Sequence, residues 1–284
     1  MEVRAGIEYA DRVGYRPLLL DLYLPAAAGP APVVLFLHGG GWRRGSRRDF
    51  GHAFAGWRPS PFERLARAGF AVAAADYRLS GEARHPAQLE DVRSAVGWLR
   101  CNGGEYGFDG ATVVAWGESA GAHLAALAAL TGPGIAAVVG WHGVYDLAAM
   151  PAGGAPGSRE SLLLGAPVRD APSLAAEASP VAHVHGGAPP FQLWHGTADR
   201  LVPCAQSERM AAALRAAGAQ AEYRPVDGAG HLWQNVRDVT AIFEESLDFA
   251  QRALRAQRAQ RAQRARRVSA PRAGATATPA PGPA

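Results

Sequence analysis

The stretch VVAWGESAGAHLAAL, residues 113–127, changes character at its centre. It begins as an apolar run typical of a buried strand and continues as an Ala/Leu run typical of a helix. Ser119 lies at the junction, with a glycine two residues away on either side. Two interpretations fit. Ser119 could cap the helix, because serine is favoured there, or it could be the nucleophile of a G-x-S-x-G elbow, whose turn exposes the hydroxyl above a sheet.

The rest of the chain predicts the sheet that such an elbow needs. Six apolar runs resemble buried strands: residues 31–40, 69–77, 111–117, 135–143, 190–196 and 221–228. Helical patterns separate them: residues 61–68, 86–100, 120–130, 206–217 and 238–254. This alternation predicts the α/β class, with a mostly parallel central sheet and helices on both faces. Two early runs, 6–10 and 17–24, predict an antiparallel entry.

The rhythm continues to about residue 250 without a linker, so residues 1–250 are predicted to form one domain. Residues 146–188 fall outside the rhythm and are rich in Gly, Pro, Ala and Ser. An excursion of this kind between strands often roofs a site. Residues 251–284 form an Arg/Ala-rich extension, expected to complete the last helix and then to be disordered.

Composition excludes several classes of protein. Hydrophobic residues make up 48% of the chain, which is ample for a core, but no run approaches the roughly 18 apolar residues of a membrane helix. The first residues do not resemble a secretory signal. Cys101 and Cys204 lie far apart and form no C-x-x-C motif, so we expect neither a disulfide framework nor a thiolate metal site. A cytoplasmic location is the expectation.

The net charge of +4 comes from the extension. Eight arginines and no acidic residue follow residue 250, so residues 1–250 carry −4. This mildly acidic body shows no nucleic-acid footprint. The extension could bind nucleic acid or anionic lipid, but a solvated and functionally neutral tail is favoured. We therefore expect no nucleic-acid or membrane partner.

In an open parallel sheet, ligands bind at the carboxyl ends of the strands. The predicted strand ends carry HGGGW (residues 38–42), Ser119, Asp146, Asp199 in HGTADRLVP and His231 in DGAGHLW. A hydroxyl, an acid and an imidazole thus meet at one edge in the order Ser, Asp, His. That order is the one found in α/β-hydrolases and differs from two other serine-hydrolase folds.

The chemistry explains why these residue types are needed together. A serine hydroxyl is weakly nucleophilic at neutral pH, so His231 would take the proton of Ser119 during attack. Asp199 would hold the imidazole in the useful tautomer and stabilise the imidazolium. These three residues are the predicted catalytic triad.

The developing alkoxide also needs hydrogen-bond donors. The backbone N–H groups of Gly40, Gly41 and Ala120 are predicted to form an oxyanion hole. Glycines suit this task because they let a substrate approach the backbone closely.

Other residues compete for these roles. His195 also ends a strand but precedes Asp199 by only four residues, so a structural role is favoured. Asp146 follows the wrong strand, and Asp227 lies where it would shape a turn before His231. His38 heads the glycine run and is expected to brace that loop.

Two further pairs are candidates for other sites. His183 and His185 could be metal ligands, since alternate residues of a strand share a face, but no third ligand is evident and a surface pair is favoured. Trp42 and Trp233 are candidates for lining a substrate pocket, with packing in the core as the alternative. No metal and no cofactor is expected.

The combined motifs resemble those of α/β-hydrolase-fold serine esterases, in particular small bacterial esterases of the bifunctional feruloyl/acetyl-xylan esterase and hormone-sensitive lipase group. The matching pieces are LDLYLP, HGGGW, DYRLS, HPAQLEDVRSAVGWLR, GESAGAHLAAL, HGTADRLVP and GAGHLW. The resemblance implies the same triad and oxyanion hole. The chain departs from many relatives at Ala122, where they have glycine, and at Leu232-Trp233, where they have Gly-Phe.

The predicted function is hydrolysis of short-chain carboxylic esters through a covalent acyl-enzyme on Ser119, with a small-molecule ester as partner and a monomeric or dimeric protein. Short acyl groups are expected because residues 146–188 contain a single apolar cluster, at residues 162–164. The alternatives are an arylformamidase-like amidase, because such enzymes resemble this fold and share an H-G-G-x-W loop, and a non-catalytic binding protein of the same fold.

Overall fold

The computed structural model of the protein describes residues 1–26, 29–151 and 155–269. The end of the extension, which the sequence predicts to be disordered, lies outside these residues from position 270 onward. The beginning of the extension is helical, as the last helix runs to Ser269.

A single mixed sheet organises the described chain. Its strands are β1 Glu2–Ala10, β2 Leu18–Leu24, β3 Ala31–Leu37, β4 Ala71–Ala75, β5 Phe108–Glu118, β6 Ile135–Trp141, β7 Phe191–Gly196 and β8 Ala221–Val226. The spatial order is β1-β2-β4-β3-β5-β6-β7-β8. β1, β2 and β4 pair antiparallel, and the remaining pairs are parallel. This is the predicted antiparallel entry into a parallel sheet.

Seven α-helices connect the strands in the described residues. They are α1 Pro61–Arg67, α2 Ala87–Tyr106, α3 Ala120–Thr131, α4 Arg159–Leu164, α5 Pro172–Glu177, α6 Ala205–Ala216 and α7 Thr240–Ser269. The sequence predicts five of them, but α2 continues to Tyr106 rather than to residue 100, and α7 continues to Ser269 rather than to residue 254. It misses α4 and α5, because six residues are too few to show a helical period.

The sheet divides the core into two layers. Along β3, the side chains of Val33, Leu35 and Leu37 belong to one buried cluster, whereas Val34 and Phe36 belong to the other. Successive side chains of a strand point to opposite faces, and the near-continuous apolar run follows from burial on both. Helices α2, α3 and α6 cover the first face, and α1 and α7 cover the second. The loops at the carboxyl edge are left free to form a site.

The described parts of the segment 146–188, residues 146–151 and 155–188, are held in part by their own helix caps. The hydroxyl of Ser158 accepts from the N–H of Ser161 at the start of α4. Leu163 and Leu164 are buried in the core, and Leu162 is exposed. The apolar cluster therefore packs inward. None of the helices within the described ranges is both long and apolar enough to span a bilayer.

Candidate active site

The turn between β5 and α3 holds Ser119 in an unusual backbone conformation. Its φ is 52° and its ψ is −114°, a region that costs a non-glycine residue about 1–3 kcal/mol and that clusters at functional sites. Its side chain makes no capping hydrogen bond to α3. The helix-cap interpretation therefore does not describe this serine, and the strained elbow does.

The two glycines of the motif are needed for close packing. A Cβ on Gly117 would collide with the backbone of Gly121, and a Cβ on Gly121 would collide with the carbonyl of Leu37 at the end of β3. The backbone N–H of Ser119 donates to the Trp141 carbonyl at 2.8 Å. The elbow is thus pressed onto the edge of the sheet, where it presents the serine side chain to the neighbouring loops.

Ser119, His231 and Asp199 form a continuous chain of hydrogen bonds. The distance from Ser119 Oγ to His231 Nε2 is 3.2 Å, and from His231 Nδ1 to Asp199 Oδ2 it is 2.6 Å. All three residues are buried, each 7% exposed. The three residues that the strand ends predict are therefore brought together, with an imidazole beside the hydroxyl and a carboxylate behind the imidazole.

The loops after β7 and β8 are joined so that Asp199 and His231 meet. The N–H of Ala198 donates to the Ala229 carbonyl at 2.9 Å, and a Cβ on Gly196 would collide with the backbone of Ala229. Asp199 directly follows Ala198, and His231 lies two residues after Ala229. The backbone contact between the two loops therefore places the His231 imidazole beside the Asp199 carboxylate.

Asp199 is held as a carboxylate. The N–H groups of Leu201 and Val202 donate to its Oδ1 at 2.8 and 2.9 Å, and both His195 and His231 contact its Oδ2. Burial alone would raise the pKa of Asp199, but the hydrogen bonds from His195, His231 and Val202 keep it below its ordinary value. An ionised acid is what orienting and stabilising an imidazolium requires.

The competing residues are occupied elsewhere. His195 is fully buried; its Nδ1 lies 2.7 Å from Ser207 Oγ and its Nε2 lies 2.9 Å from the Val202 carbonyl. Asp146 pairs with Arg209, and the exposed Asp227 accepts from Thr197 Oγ1. None of these rivals contacts Ser119.

The HGGGW loop lies directly beside the elbow. An ideal Cβ on Gly39 would lie 3.5 Å from the Ser119 Cβ. Gly40 and Gly41 have φ values of 108° and 62°, which favour glycine. His38 stacks on Tyr77 with ring centroids 4.3 Å apart, and burial lowers its pKa. The loop is therefore braced by His38, and its glycines are partly exposed.

Trp42 and Trp233 are packed in the core, and the structure thereby corrects the expectation that they line a substrate pocket. Trp42 is 1% exposed and donates from its indole N–H to His123 Nδ1 on α3 at 3.1 Å. Trp233 is 2% exposed and packs against Trp141 and His142. Both have left-handed backbones, with φ of 57° and 64°, which turn their rings into the core.

The two histidines considered as metal ligands are not brought together into a metal site. His183 Nε2 lies 2.7 Å from the carbonyl oxygen of Glu177, and His185 Nδ1 accepts a hydrogen bond from the N–H of Gly187. No cluster of three metal-ligating side chains occurs within the ranges 1–26, 29–151 and 155–269.

Two buried residues beside the triad are missed by the sequence reasoning. Glu118, inside the G-x-S-x-G motif, is fully buried, and burial together with Asp49 raises its pKa to about 8. His142 follows β6, and its ring centroid lies 4.6 Å from that of His231. Neither nitrogen of His142 has a hydrogen-bond partner among the described residues, and its Nε2 lies 4.0 Å from Glu118. Its position at a strand end is the signal that could have revealed it.

Comparison with known proteins identifies the family of this chain. Residues 20–214 match the BD-FAE family profile, which is more than half of the chain. The chain belongs to the BD-FAE family. The match covers the HGGGW loop, the elbow and Asp199, and it ends before His231, which the structure places against Asp199.

Curated relatives of this BD-FAE chain carry the name esterase. Esterase LipQ of Mycobacterium tuberculosis is 34% identical over 243 residues, which cover 77% of this chain and 55% of LipQ. Esterase LipC of the same organism is 33% identical, covering 71% of this chain and 53% of LipC. The chain spans about half the length of these relatives.

Solved structures extend the likeness to three dimensions. A truncated carbohydrate esterase from gut microbiota superposes with a TM-score of 0.78 at 28% identity, covering 89% of this chain and 96% of that one. Native Est2, a thermophilic esterase of Thermogutta terrifontis, gives a TM-score of 0.70 at 29% identity, covering 89% and 91%. The α/β-hydrolase fold and the resemblance to bacterial esterases, both predicted from sequence, are confirmed.

Proposed function

We propose that the protein hydrolyses carboxylic esters through an acyl-enzyme on Ser119. The observation that carries the proposal is the hydrogen-bonded chain from Ser119 Oγ through His231 to Asp199, at 3.2 and 2.6 Å. The names of the relatives LipQ and Est2 support the same chemistry.

In the first half-reaction, His231 Nε2 removes the proton of Ser119 as Oγ attacks the ester carbonyl. A tetrahedral intermediate forms, and His231 then gives this proton to the departing alkoxide, which leaves as the alcohol. Asp199 stabilises the imidazolium that exists between these two transfers. In the second half-reaction, His231 activates a water in the same way, and the acid is released from Ser119.

The oxyanion of each intermediate requires fixed donors. We assign this task to the backbone N–H groups of Gly40, Gly41 and Ala120. The support is the position of the glycine loop beside the Ser119 Cβ and the location of Ala120 at the first residue of α3. Losing one such donor costs roughly 10²–10³-fold in kcat in serine hydrolases.

A serine-reactive fluorophosphonate probe tests the acyl-enzyme directly. Stoichiometric labelling that maps to Ser119 is expected, with no labelling of the Ser119→Ala protein. Ser158, a cap of α4, provides a matched control, since Ser158→Ala should label as the wild type does. A folded protein that does not react with the probe would instead support the non-catalytic alternative.

The substrates are proposed to be short-chain acyl esters. The apolar residues Leu163 and Leu164 are buried in the core, so this apolar cluster is not available to line an acyl pocket. Solved structures of Est2 contain propionate and butyrate. We expect kcat/KM for p-nitrophenyl esters of two to sixteen carbons to be highest at or below about six, because a small pocket discriminates by fit. A rise toward long chains would contradict the proposal.

We also propose a cytoplasmic protein whose catalytic domain spans residues 1–250. Both cysteines are free, and Cys101 is exposed, as is usual in a reducing compartment. A thiol count of two in protein extracted under alkylating conditions would support the location, and a disulfide-linked species would oppose it.

A further inference from the structure

A cavity of about 520 Å³ lies beside the proposed catalytic loops. Its wall includes Gly39 and Gly40 of the HGGGW loop, Glu118 next to Ser119, and Leu232 next to His231. It therefore borders the HGGGW loop, the elbow and the loop that carries His231.

Three arginines line this cavity: Arg44, Arg48 and Arg58. Arg44 and Arg48 are exposed, and within the described parts of the chain their side chains have no hydrogen-bond or ion-pair partner. Arg47, between them in sequence, behaves differently because its guanidinium pairs with Asp21 and Asp76 at 2.7 and 2.8 Å. Arg47 thus anchors this loop to the sheet, whereas the guanidinium groups of Arg44 and Arg48 are available to bind a ligand.

Arg58 adds to this charge, and the two acids of the cavity wall offset only part of it. The Arg58 guanidinium donates to the carbonyls of Ala55 and Trp57, which leaves its charge in place. Asp49, which accepts from the backbone N–H of Ser46, offsets one of the three positive charges. Burial raises the pKa of Glu118 to about 8, so this carboxyl is neutral at pH 7 and can donate a hydrogen bond.

The positive charge is local. Residues 1–250 carry a net charge of −4, whereas the charged groups that line the cavity sum to a positive value at neutral pH. Aromatic side chains complete the wall: Phe50, Phe54, Trp57 and Phe62. A cavity with an apolar wall and a few polar groups fits a small organic ligand, and free guanidinium groups add recognition of an anion.

We propose that this cavity binds a carboxylate carried by the ester substrate, with Arg44 and Arg48 holding the anion and the aromatic wall holding its carbon skeleton. Guanidinium suits this task because its donors match the two oxygens of a carboxylate. The inference rests on the proposed esterase function and narrows its substrates to anionic esters.

Two substrate pairs place the charge on either side of the scissile bond. The first pair is p-nitrophenyl hydrogen glutarate and its methyl ester; the second is 4-acetoxybenzoate and its methyl ester. We expect the wild type to favour the anionic member of at least one pair by about tenfold in kcat/KM, which corresponds to roughly 1.4 kcal/mol. Added salt should reduce this preference, because the arginines are exposed.

The decisive variant is the double substitution Arg44→Gln and Arg48→Gln. It should bring the anionic-to-neutral ratio close to one while changing kcat/KM for the neutral ester less than about twofold, since neither side chain touches the reacting atoms. Arg43→Gln is the matched control. Arg43 is exposed in the same loop but does not line the cavity, so the ratio should survive its loss.

The outcomes separate the two proposals. A wild type that prefers neutral esters in both pairs, or a double variant that keeps the ratio, would overturn the carboxylate site while leaving esterase activity established. An equal loss in Arg43→Gln would also overturn it, because it would show long-range steering by net charge. Absence of turnover on all four esters, together with no fluorophosphonate labelling of Ser119, would instead refute the proposed function.

Discussion

The end of β7 and the loop after β8 each bring a histidine to the same carboxylate oxygen, yet the two regions differ in what they leave free. His195 Nε2 lies 3.3 Å from Asp199 Oδ2, and His231 Nδ1 lies 2.6 Å from it. The ring nitrogens of His195 also contact the Ser207 hydroxyl and the Val202 carbonyl. His231 keeps its second nitrogen for Ser119.

Contact with the acid is therefore insufficient to identify a base. A general base needs a second nitrogen within reach of the proton that it removes. His195 is fully buried and its hydrogen bonds are satisfied within the core, so it positions Asp199. His231 lies on a loop whose next residue, Leu232, has a left-handed backbone with φ of 57°. The ring of His231 lies beside the elbow. Four predictions test this division of roles.

The largest effect is expected at the reacting pair. Ser119→Ala and His231→Ala should each lower kcat by about 10⁴-fold or more, and the double variant should be little worse than either, because triad members act as a unit. Kinetics of the three proteins and their melting temperatures give the measurement. Losses that multiply in the double variant would show that the two residues do not cooperate.

Asp199→Asn should lower kcat by roughly 10³–10⁴-fold, because the amide favours the wrong imidazole tautomer. The matched control is Asp227→Asn, at an exposed carboxylate in the turn before His231, which should stay within about threefold of the wild type. If the control lost more activity than Asp199→Asn, the acid would be misassigned.

His195→Asn sharpens the contrast with His231. It should cost about 1–3 kcal/mol in unfolding free energy, because buried partners lose their hydrogen bonds, but only about tenfold in kcat, since Leu201 and Val202 still hold Asp199. Urea denaturation and steady-state kinetics measure both quantities. A loss of activity as large as that of His231→Ala would erase the distinction between the two regions.

The smallest effect on activity at neutral pH concerns Glu118, close to both Ser119 and His142. Its pKa rises from 4.5 to about 8 on folding, so its contribution to stability is complete below about pH 4.5 and is lost as pH rises through 8. Glu118→Gln should remove this loss, and kcat/KM should fall less above pH 8 because no carboxylate forms beside the oxyanion.

Unfolding free energies and kcat/KM values at pH 5, 7 and 9 test this prediction. Glu105→Gln, at an exposed glutamate of α2, is the control and should follow the wild-type profile. Parallel profiles for the wild type and Glu118→Gln would mean that Glu118 does not titrate in this range.

Much of the arrangement follows from the sequence through two regularities. The apolar runs and helical periods predict a parallel sheet, and parallel strands collect their carboxyl ends at one edge. Ser119, Asp199 and His231 each lie just after a predicted strand, so their meeting can be expected without coordinates. The glycines at 117 and 121 likewise indicate a tight turn, because only a residue without Cβ allows that approach.

Only the tertiary structure decided how individual side chains are used. Trp42 and Trp233 lie in or next to the proposed catalytic loops in sequence, but their rings are buried in the core. The sequence likewise does not predict three other features. These are the shared contact of His195 and His231 with Asp199, the burial of Glu118, and the unpaired guanidinium groups of Arg44 and Arg48 among the described residues. Sequence spacing determines the edge of the sheet that a residue reaches. The backbone angles and the neighbours packed around it determine where its side chain points and which of its polar atoms remain available.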